Sequence, residues 1–550
     1  MDRAALPAAP TVVGGLIVRA YDYVVIGGGT AGCAVAARLS EDADRQVLLI
    51  EAGGHGRRPD VRIPAAFAAQ FHSTVDWEYV SEPEAALEGR RLPEPRGRML
   101  GGCSAMNLML YIRGNRLDYD GWAEQGAPGW SYTDVLPVFR KSERNTELRS
   151  EYHGVDGPLH VMSIPSPDPL SDDWIAAAMS AGIPRCADFN GAHQDGVGRP
   201  QVTQRYGVRA DVASAYLVPA RRRPNLTVLT GALVHRVLVR HGRAVAVEFS
   251  RRGRSQTVAV GQEIVLSAGT FGSVEILQRS GIGPAAHLRA AGVPTEVDLP
   301  AVGANLAEHP LIPLHYELAG TAVGLNDVLG SSGLPRLRYL ARWLLRRDGK
   351  LSSNAGEALA HVRTDPALPA PDVQLLFAPV YFGADGATHP VPAFTVGASY
   401  LTPTSRGEVL IGSADPSRRA TVRLNLLSSA AEVDACAKAV DLLRDIAEQP
   451  PIRRHVARRL GPGPDRASIS AYIRANAQHT FHACGTVRMG RGEGCAVDEH
   501  LRVYGVSGLR VADASVFPTI PRGNTNAPAL MVGERCAELI RHPPVPHPTQ

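Results

Sequence analysis

The chain has 550 residues, too many for a single hydrophobic core, so two or more domains are expected. Its 44% hydrophobic and 20% charged residues are ordinary for a globular protein, and a net charge of +4 gives no reason to propose nucleic acid or an anionic membrane as partner. The seven cysteines are few, odd in number, widely spread and without a C-x-x-C pair, which argues against a disulfide framework and a zinc site and favours a reducing, cytoplasmic compartment.

The first 20 residues read as a loose leader: Thr11 to Val18 is apolar but short and has no basic region before it. No run of about 18 apolar residues exists, so no membrane span is expected. Tyr23 to Ile26 is a buried strand, Ala34 to Leu39 a helix, and Val47 to Ile50 a second strand ending at Glu51. Between them Gly27, Gly29 and Gly32 fit G-x-G-x-x-G, and Glu51 lies 19 residues after Gly32. In such a β-α-β unit the glycines let the backbone approach a pyrophosphate resting on the helix N-terminus, and an acid ~20 residues on receives the ribose 2′-OH. Thr30, Ala31 and Ala52 flank these positions and join the expected nucleotide site. The unit fits FAD and NAD alike.

Arg96 to Gly114 reads as a glycine-rich loop entering a helix. Asn225 to Ser250 reads as two strands about the turn His241-Gly242, with alternating valines that include Val234. Glu263 to Ser267 is a further buried strand, and Ala268 to Leu277 a helix stopped by the glycines and proline of 280–284. From about 316 to 475 the pattern changes to the strand-like runs Asp372 to Ala378, Ala393 to Leu401 and Gly407 to Gly412, with a helix Ala430 to Ala447. The C-terminal part returns to short strands, glycine turns and a helix Ala527 to Ile540. Nucleotide-binding pieces at the start, middle and end therefore enclose a different, inserted domain.

Six segments in order carry a resemblance to the glucose-methanol-choline (GMC) oxidoreductases, flavoenzymes that oxidise alcohols. They are the opening β-α-β unit, "GRMLGGCSAMNLMLYIRGN" from Gly97, "SAGTFGSVEILQRSGIGP" from Ser267, "VGANLAEHP" from Val302, "LTPTSRGEVLIGSADP" from Leu401, and a C-terminal block holding "HACGTVRMG" from His482 and "LRVADASVFPTIPRGNTNAPALMVGERCAELI" from Leu509. The resemblance implies an α/β (α+β) fold: a discontinuous Rossmann-like FAD-binding domain (21–154, 225–315 and 479–541) with an inserted antiparallel-sheet substrate-binding domain (155–224 and 316–478) and a tail, 542–550.

It also implies that the nucleotide is FAD. Gly101 and Gly102 would let the backbone approach the cofactor. Ser104 and Asn107 belong to the loop that lies beside the flavin in the family, and Asn107 would pair buried polar groups of the cofactor. The residue corresponding to Val234 offers its backbone to the adenine, and Asp513 and Ala514 hold the pyrimidine end. Asn524 and Thr525 close the site. Met106 stands where some members carry a histidine bonded to the flavin, so non-covalent FAD is expected.

Removing a hydroxyl proton while a hydride leaves for flavin N5 needs a base of near-neutral pKa. The family's base is the histidine of H-x-x-G-T, which is His482 here, with Asn524 as the partner that holds the substrate oxygen. His479 lacks the Gly-Thr spacing, His309 reads as structural, and Cys484 as packing. Two positions depart from the family pattern: Val274 and Ala483 replace prolines, and Val274 is expected in the first turn of its helix. The expected reaction is FAD-dependent alcohol oxidation with oxygen, a quinone or a protein as electron acceptor. A non-redox hydroxynitrile lyase on the same fold is the alternative. With aromatics at only 6%, a cage for choline is not favoured.

Overall fold

The computed structural model describes residues 12–13, 16–17, 21–320, 322, 324–329, 334–383 and 391–543. Most of the expected leader and tail lies outside them. The strand Tyr21–Ile26, the helix Thr30–Leu39 and the strand Val47–Glu51 form the opening β-α-β unit. All but one residue of the two strands are buried, as expected of continuous apolar runs covered on both faces.

This unit sits inside a seven-stranded sheet. Leu226–Thr230, Val47–Glu51, Tyr21–Ile26 and the end of Arg254–Leu266 run parallel, and Leu509–Val511 adds a further parallel partner. The sheet then continues through antiparallel pairings into Arg243–Arg251 and Ala232–Arg240. Two strands were expected across 225–250; the structure has three, because Gly231, at φ +66, turns the chain once more before the hairpin. The helix Asn526–Arg541 packs on Thr30–Leu39. Its Glu534 is fully buried and forms an ion pair with Arg38, with Nε 2.8 Å from the carboxylate.

A second seven-stranded sheet is antiparallel. Pro310–Leu318 pairs with Ala393–Tyr400, Val456–Leu460 and Gln478–His479, and the order continues through Val373–Ala378 and Ala358–Val362 to Gly196–Gly198. Its strands come from the middle of the chain, between pieces of the first sheet. Pro310–Leu318 runs across the boundary expected at 315/316. The helix Ala430–Ala447 covers this sheet. The 96–114 loop holds only a short turn, Gly102–Ala105, and the next helix begins at Arg116. Val274 is the sixth residue of the helix Gly269–Arg279 rather than part of its first turn. Mid-helix, a valine keeps the backbone hydrogen bond that a proline would remove.

Candidate active site

One cavity of about 300 Å³ runs between the two sheets, from Glu51 and Gly27 at one end to His482 and Asn524 at the other. At the first end, Gly27 adopts φ +99, and a Cβ there would lie 2.4 Å from the carbonyl oxygen of Ser267. The turn is therefore closed to any side chain. It leads into Thr30–Leu39, whose N-cap, Gly29, gives no side-chain cap. The first N–H groups of that helix, with its positive dipole end, are left for a ligand. Glu51 lines the same end, and its carboxylate accepts from Gly28 N (2.8 Å) and Gly53 N (2.7 Å). Burial raises its pKa against those two bonds.

Of the residues expected to hold the nucleotide, Gly27, Gly29, Thr30, Ala31, Glu51, Ala52, Gly102, Asn107, Val234, Asp513, Ala514, Asn524 and Thr525 line the cavity. Gly32, Gly101 and Ser104 lie behind its wall. Gly32 packs against Gly27, where a Cβ would come within 1.9 Å of a carbonyl oxygen. Ser104 Oγ donates to Gly101 O (2.7 Å) and accepts from Val212 N (3.0 Å), which fixes the loop from behind. Asp513 accepts from Gly269 N, Ser273 Oγ and Ser515 N. Met106 stands in the cavity wall.

Arg209 was not singled out in the sequence. It is buried and donates to the Ser104 carbonyl (3.2 Å) and to Asn107 Oδ1 (2.9 Å), clamping the loop. Burial lowers its pKa to about 10, against the pull of Asp211.

At the far end, His482 Nε2 lies 3.1 Å from Asn524 Nδ2. His482 follows Gln478–His479, the strand that pairs with Pro310–Leu318. The ladder continues through the bridge between Ala307 and Cys484, so His309 and His482 are cross-strand neighbours. Their Nδ1 atoms are 3.0 Å apart, and Thr480 Oγ1 lies 2.7 Å from His482 Nδ1. This network assigns the tautomers. His309 Nε2 faces the Leu401 carbonyl at 3.2 Å, which only accepts, so it carries the proton. His309 Nδ1 is then an acceptor, and His482 Nδ1 carries the proton that meets it. His482 Nε2 is left as a lone pair pointing toward Asn524 and the cavity. Burial first, and then the neighbouring His309, Arg96 and His479, hold the His482 pKa well below 6.5, so the ring is neutral. Burial also lowers His309 to about 3. His309 therefore does more than pack, and only the three-dimensional ladder reveals it.

Beneath His482 lies a buried charge cluster. Glu308 Oε1 accepts from His482 N (2.8 Å) and His309 N (2.9 Å). Glu94, Glu308 and His479 bring potential ligand atoms within 4.8 Å of one another. Arg96 already sits there, 2.6 Å from Glu94 and 3.8 Å from Glu308, so the guanidinium meets the negative charge that a metal would otherwise meet. Burial and neighbouring Glu94 push Glu308 up to about 8, opposed by Arg96.

Four phenylalanines join Arg96 and Thr480 in the cavity wall around His482. Phe67 stacks on Phe382 with centroids 5.6 Å apart, and Phe71 packs against Phe481 at 5.9 Å. The cavity's three acids are committed elsewhere: Glu51 and Asp513 as described, and Glu275 to Ala420 N (2.7 Å) and Arg279 (3.3 Å).

The GMC oxidoreductase description matches residues 21–311 in its N-terminal part and 403–533 in its C-terminal part. The chain belongs to the GMC oxidoreductase family. A GMC-type oxidoreductase of uncharacterised activity from Mycobacterium tuberculosis is 41% identical over 532 residues, covering 94% of this chain and 99% of its own. An oxygen-dependent choline dehydrogenase from Photobacterium profundum is 38% identical, with 94% and 93% covered. Among solved structures, pyridoxine 4-oxidase from Mesorbium loti gives a TM-score of 0.86 at 31% identity, covering 95% of this chain and 99% of that one. Formate oxidase from Aspergillus oryzae gives 0.90 at 26% identity, covering 95% and 98%.

As a GMC oxidoreductase the protein is an FAD-dependent enzyme, and its cavity suits that cofactor. Gly29 meets nothing closer than 3.9 Å where a Cβ would stand, so the backbone is bare toward the cavity. The uncapped helix N-terminus offers donors to a diphosphate. Asn524 Oδ1 is a buried acceptor with no partner. No helix among the described residues is long and apolar enough to cross a membrane.

Proposed function

We propose that this enzyme oxidises an uncharged, apolar alcohol to the carbonyl, with His482 as the base and Asn524 as the group that holds the substrate oxygen. The observation that carries this reading is the His482 Nε2 lone pair aimed at Asn524 Nδ2, 3.1 Å away, at the apolar end of the cavity. An oxygen placed at the apex of a triangle on these two atoms is within hydrogen-bond reach of both. His482 then takes the hydroxyl proton at Nε2, and the Asn524 amide donates to the oxygen as negative charge develops. His309 accepts from His482 Nδ1 and steadies the resulting imidazolium. FAD, when bound, supplies a hydride acceptor at N5. We read its attachment as non-covalent, because a methionine thioether at position 106 cannot form the histidine linkage.

The phenylalanine wall supports an aryl or alkyl alcohol over a sugar, whose hydroxyls would go unpaired there. It also argues against choline. The rings beside His482 are phenylalanines, weaker partners for a quaternary ammonium than tryptophan, and Arg96 puts positive charge in the same cavity wall. The inserted antiparallel sheet is read as the substrate-binding unit. The seven cysteines are all unbridged, which suits the cytoplasmic compartment we assign.

The test is anaerobic flavin bleaching over a panel of benzyl and alkyl alcohols, glucose and choline. Bleaching by the apolar alcohols, slowed ~10²–10⁴-fold in His482→Ala with FAD retained, supports the proposal. No bleaching by any alcohol, with cleavage of a cyanohydrin instead, makes the enzyme a lyase. Faster bleaching by choline than by benzyl alcohol overturns the substrate reading alone.

A further inference from the structure

The helix Leu334–Arg346 is separate from the cavity and carries an unusual surface. Leu337, Leu344 and Leu345 are 58%, 53% and 84% exposed, and Ala341 between them is exposed as well. At about 100° per residue, positions 337, 341, 344 and 345 form one continuous stripe along the helix. Arg338, Arg342 and Arg346, all exposed, form a second stripe beside it. Trp343 lies nearly opposite the leucines. It is buried and donates Nε1–H to the Gly207 carbonyl at 2.8 Å, which anchors the helix to the body with its apolar stripe facing outward. Tyr206, 71% exposed, sits at the tip of the hairpin that meets this helix. Residues 334–347 contain five arginines and no acidic residue. Asp348 follows and pairs with Arg342 at 2.8 Å.

We infer that this helix docks the enzyme on an anionic lipid bilayer, lying in the surface plane without spanning it. Leucines aimed into solvent with arginines along one side are the composition of an interfacial helix: the apolar stripe enters the acyl boundary and the guanidinium groups meet lipid phosphates. A +4 charge over the whole chain hides this, because the positive charge is local. A second copy of the chain is the poorer occupant, since a two-fold contact through this face would bring two rows of arginines together. The helix runs toward Lys350–Ser352, which packs on the turn Pro64–Gln70 that carries Phe67. Docking therefore brings the apolar end of the cavity close to the lipid, where apolar alcohols and lipid-soluble electron acceptors partition.

The experiment is flotation of the FAD-loaded enzyme with phosphatidylcholine vesicles containing about a quarter phosphatidylglycerol, and with pure phosphatidylcholine. The wild type should float with the anionic vesicles only and be released by salt. Each arginine near an anionic surface is worth a factor of ~5, so the triple variant R338E/R342E/R346E should bind at least on the order of 100-fold more weakly. L344E/L345E should also stay in solution. Both variants should keep FAD and bleach with a water-soluble alcohol as the wild type does. A wild type that does not float overturns the inference, as does equal flotation of both variants. Concentration-dependent dimers that L344E/L345E abolishes would give the face to a second copy and overturn it too.

Discussion

His309 tests the site's logic most directly, because it touches neither substrate nor cofactor in the proposed reaction. Its Nδ1 lies 3.0 Å from His482 Nδ1 and its Nε2 3.2 Å from the Leu401 carbonyl. Replacing it with alanine removes the acceptor that fixes the His482 proton on Nδ1. Thr480 Oγ1, at 2.7 Å, remains as a second neighbour, so the tautomer is weakened but not lost. Losing one buried hydrogen-bond partner costs ~1–3 kcal/mol. If that cost falls on the imidazolium formed in the transition state, flavin reduction slows by ~5- to 150-fold at ~1.36 kcal/mol per decade. The assay is anaerobic stopped-flow bleaching at saturating alcohol, with FAD content measured on the same sample. His309→Ala should keep its FAD and its apparent alcohol affinity and lose rate. His309→Asn, whose Oδ1 can accept, should recover part of that rate. Unchanged bleaching in His309→Ala would refute the tautomer argument. An equal loss in both variants, accompanied by FAD release, would reduce His309 to packing.

Acid or heat should release all FAD from the purified protein, because Met106 occupies the wall position where a linking histidine would stand; flavin that stays with the chain on a denaturing gel contradicts this. Glu51→Ala should weaken FAD retention by about 10- to 150-fold, from the loss of one charged hydrogen bond worth ~1.5–3 kcal/mol, while the flavin that remains bleaches normally; equilibrium dialysis against free FAD measures it. The pH dependence follows from the lowered His482 pKa. A base with a depressed pKa stays unprotonated as pH falls through 6.5, so kcat/KM should stay level through that value and decline only in more acid buffer. A limb centred at 6.5 or above would mean that another group is the base.

The opening unit was legible because its signals are local. Buried strands, glycines and an acid at the right distance all lie within 31 residues, Tyr21 to Glu51. The helix Ala430–Ala447 was read to the residue, since one amphipathic face and a polar N-terminal turn define it. What escaped was long-range. The role of His309 depends on Leu401, 92 residues away, and on a strand pairing that brings position 482 beside it. The phenylalanines at 67, 71, 382 and 481 are few in the composition, and only folding gathers them. Arg209 shows no motif, and its function follows from the carbonyls around it. The stripe on Leu334–Arg346 has ordinary helical periodicity, and the sequence does not tell which side of that helix meets the body.

His482 extends from the antiparallel sheet, whereas Asn524 precedes a helix that packs on the helix Thr30–Leu39 of the opening β-α-β unit. The reacting pair is therefore assembled across a seam, and its 3.1 Å contact acts as a gauge of how the two sheets sit together. His482 and the phenylalanines at 67, 71 and 481 lie in the chain segments that also build the cofactor cradle, and only Phe382 comes from the inserted stretch. An exchange of the inserted segments between relatives would therefore change the sheet against which His482 is braced, and leave the proton acceptor itself with the nucleotide cradle.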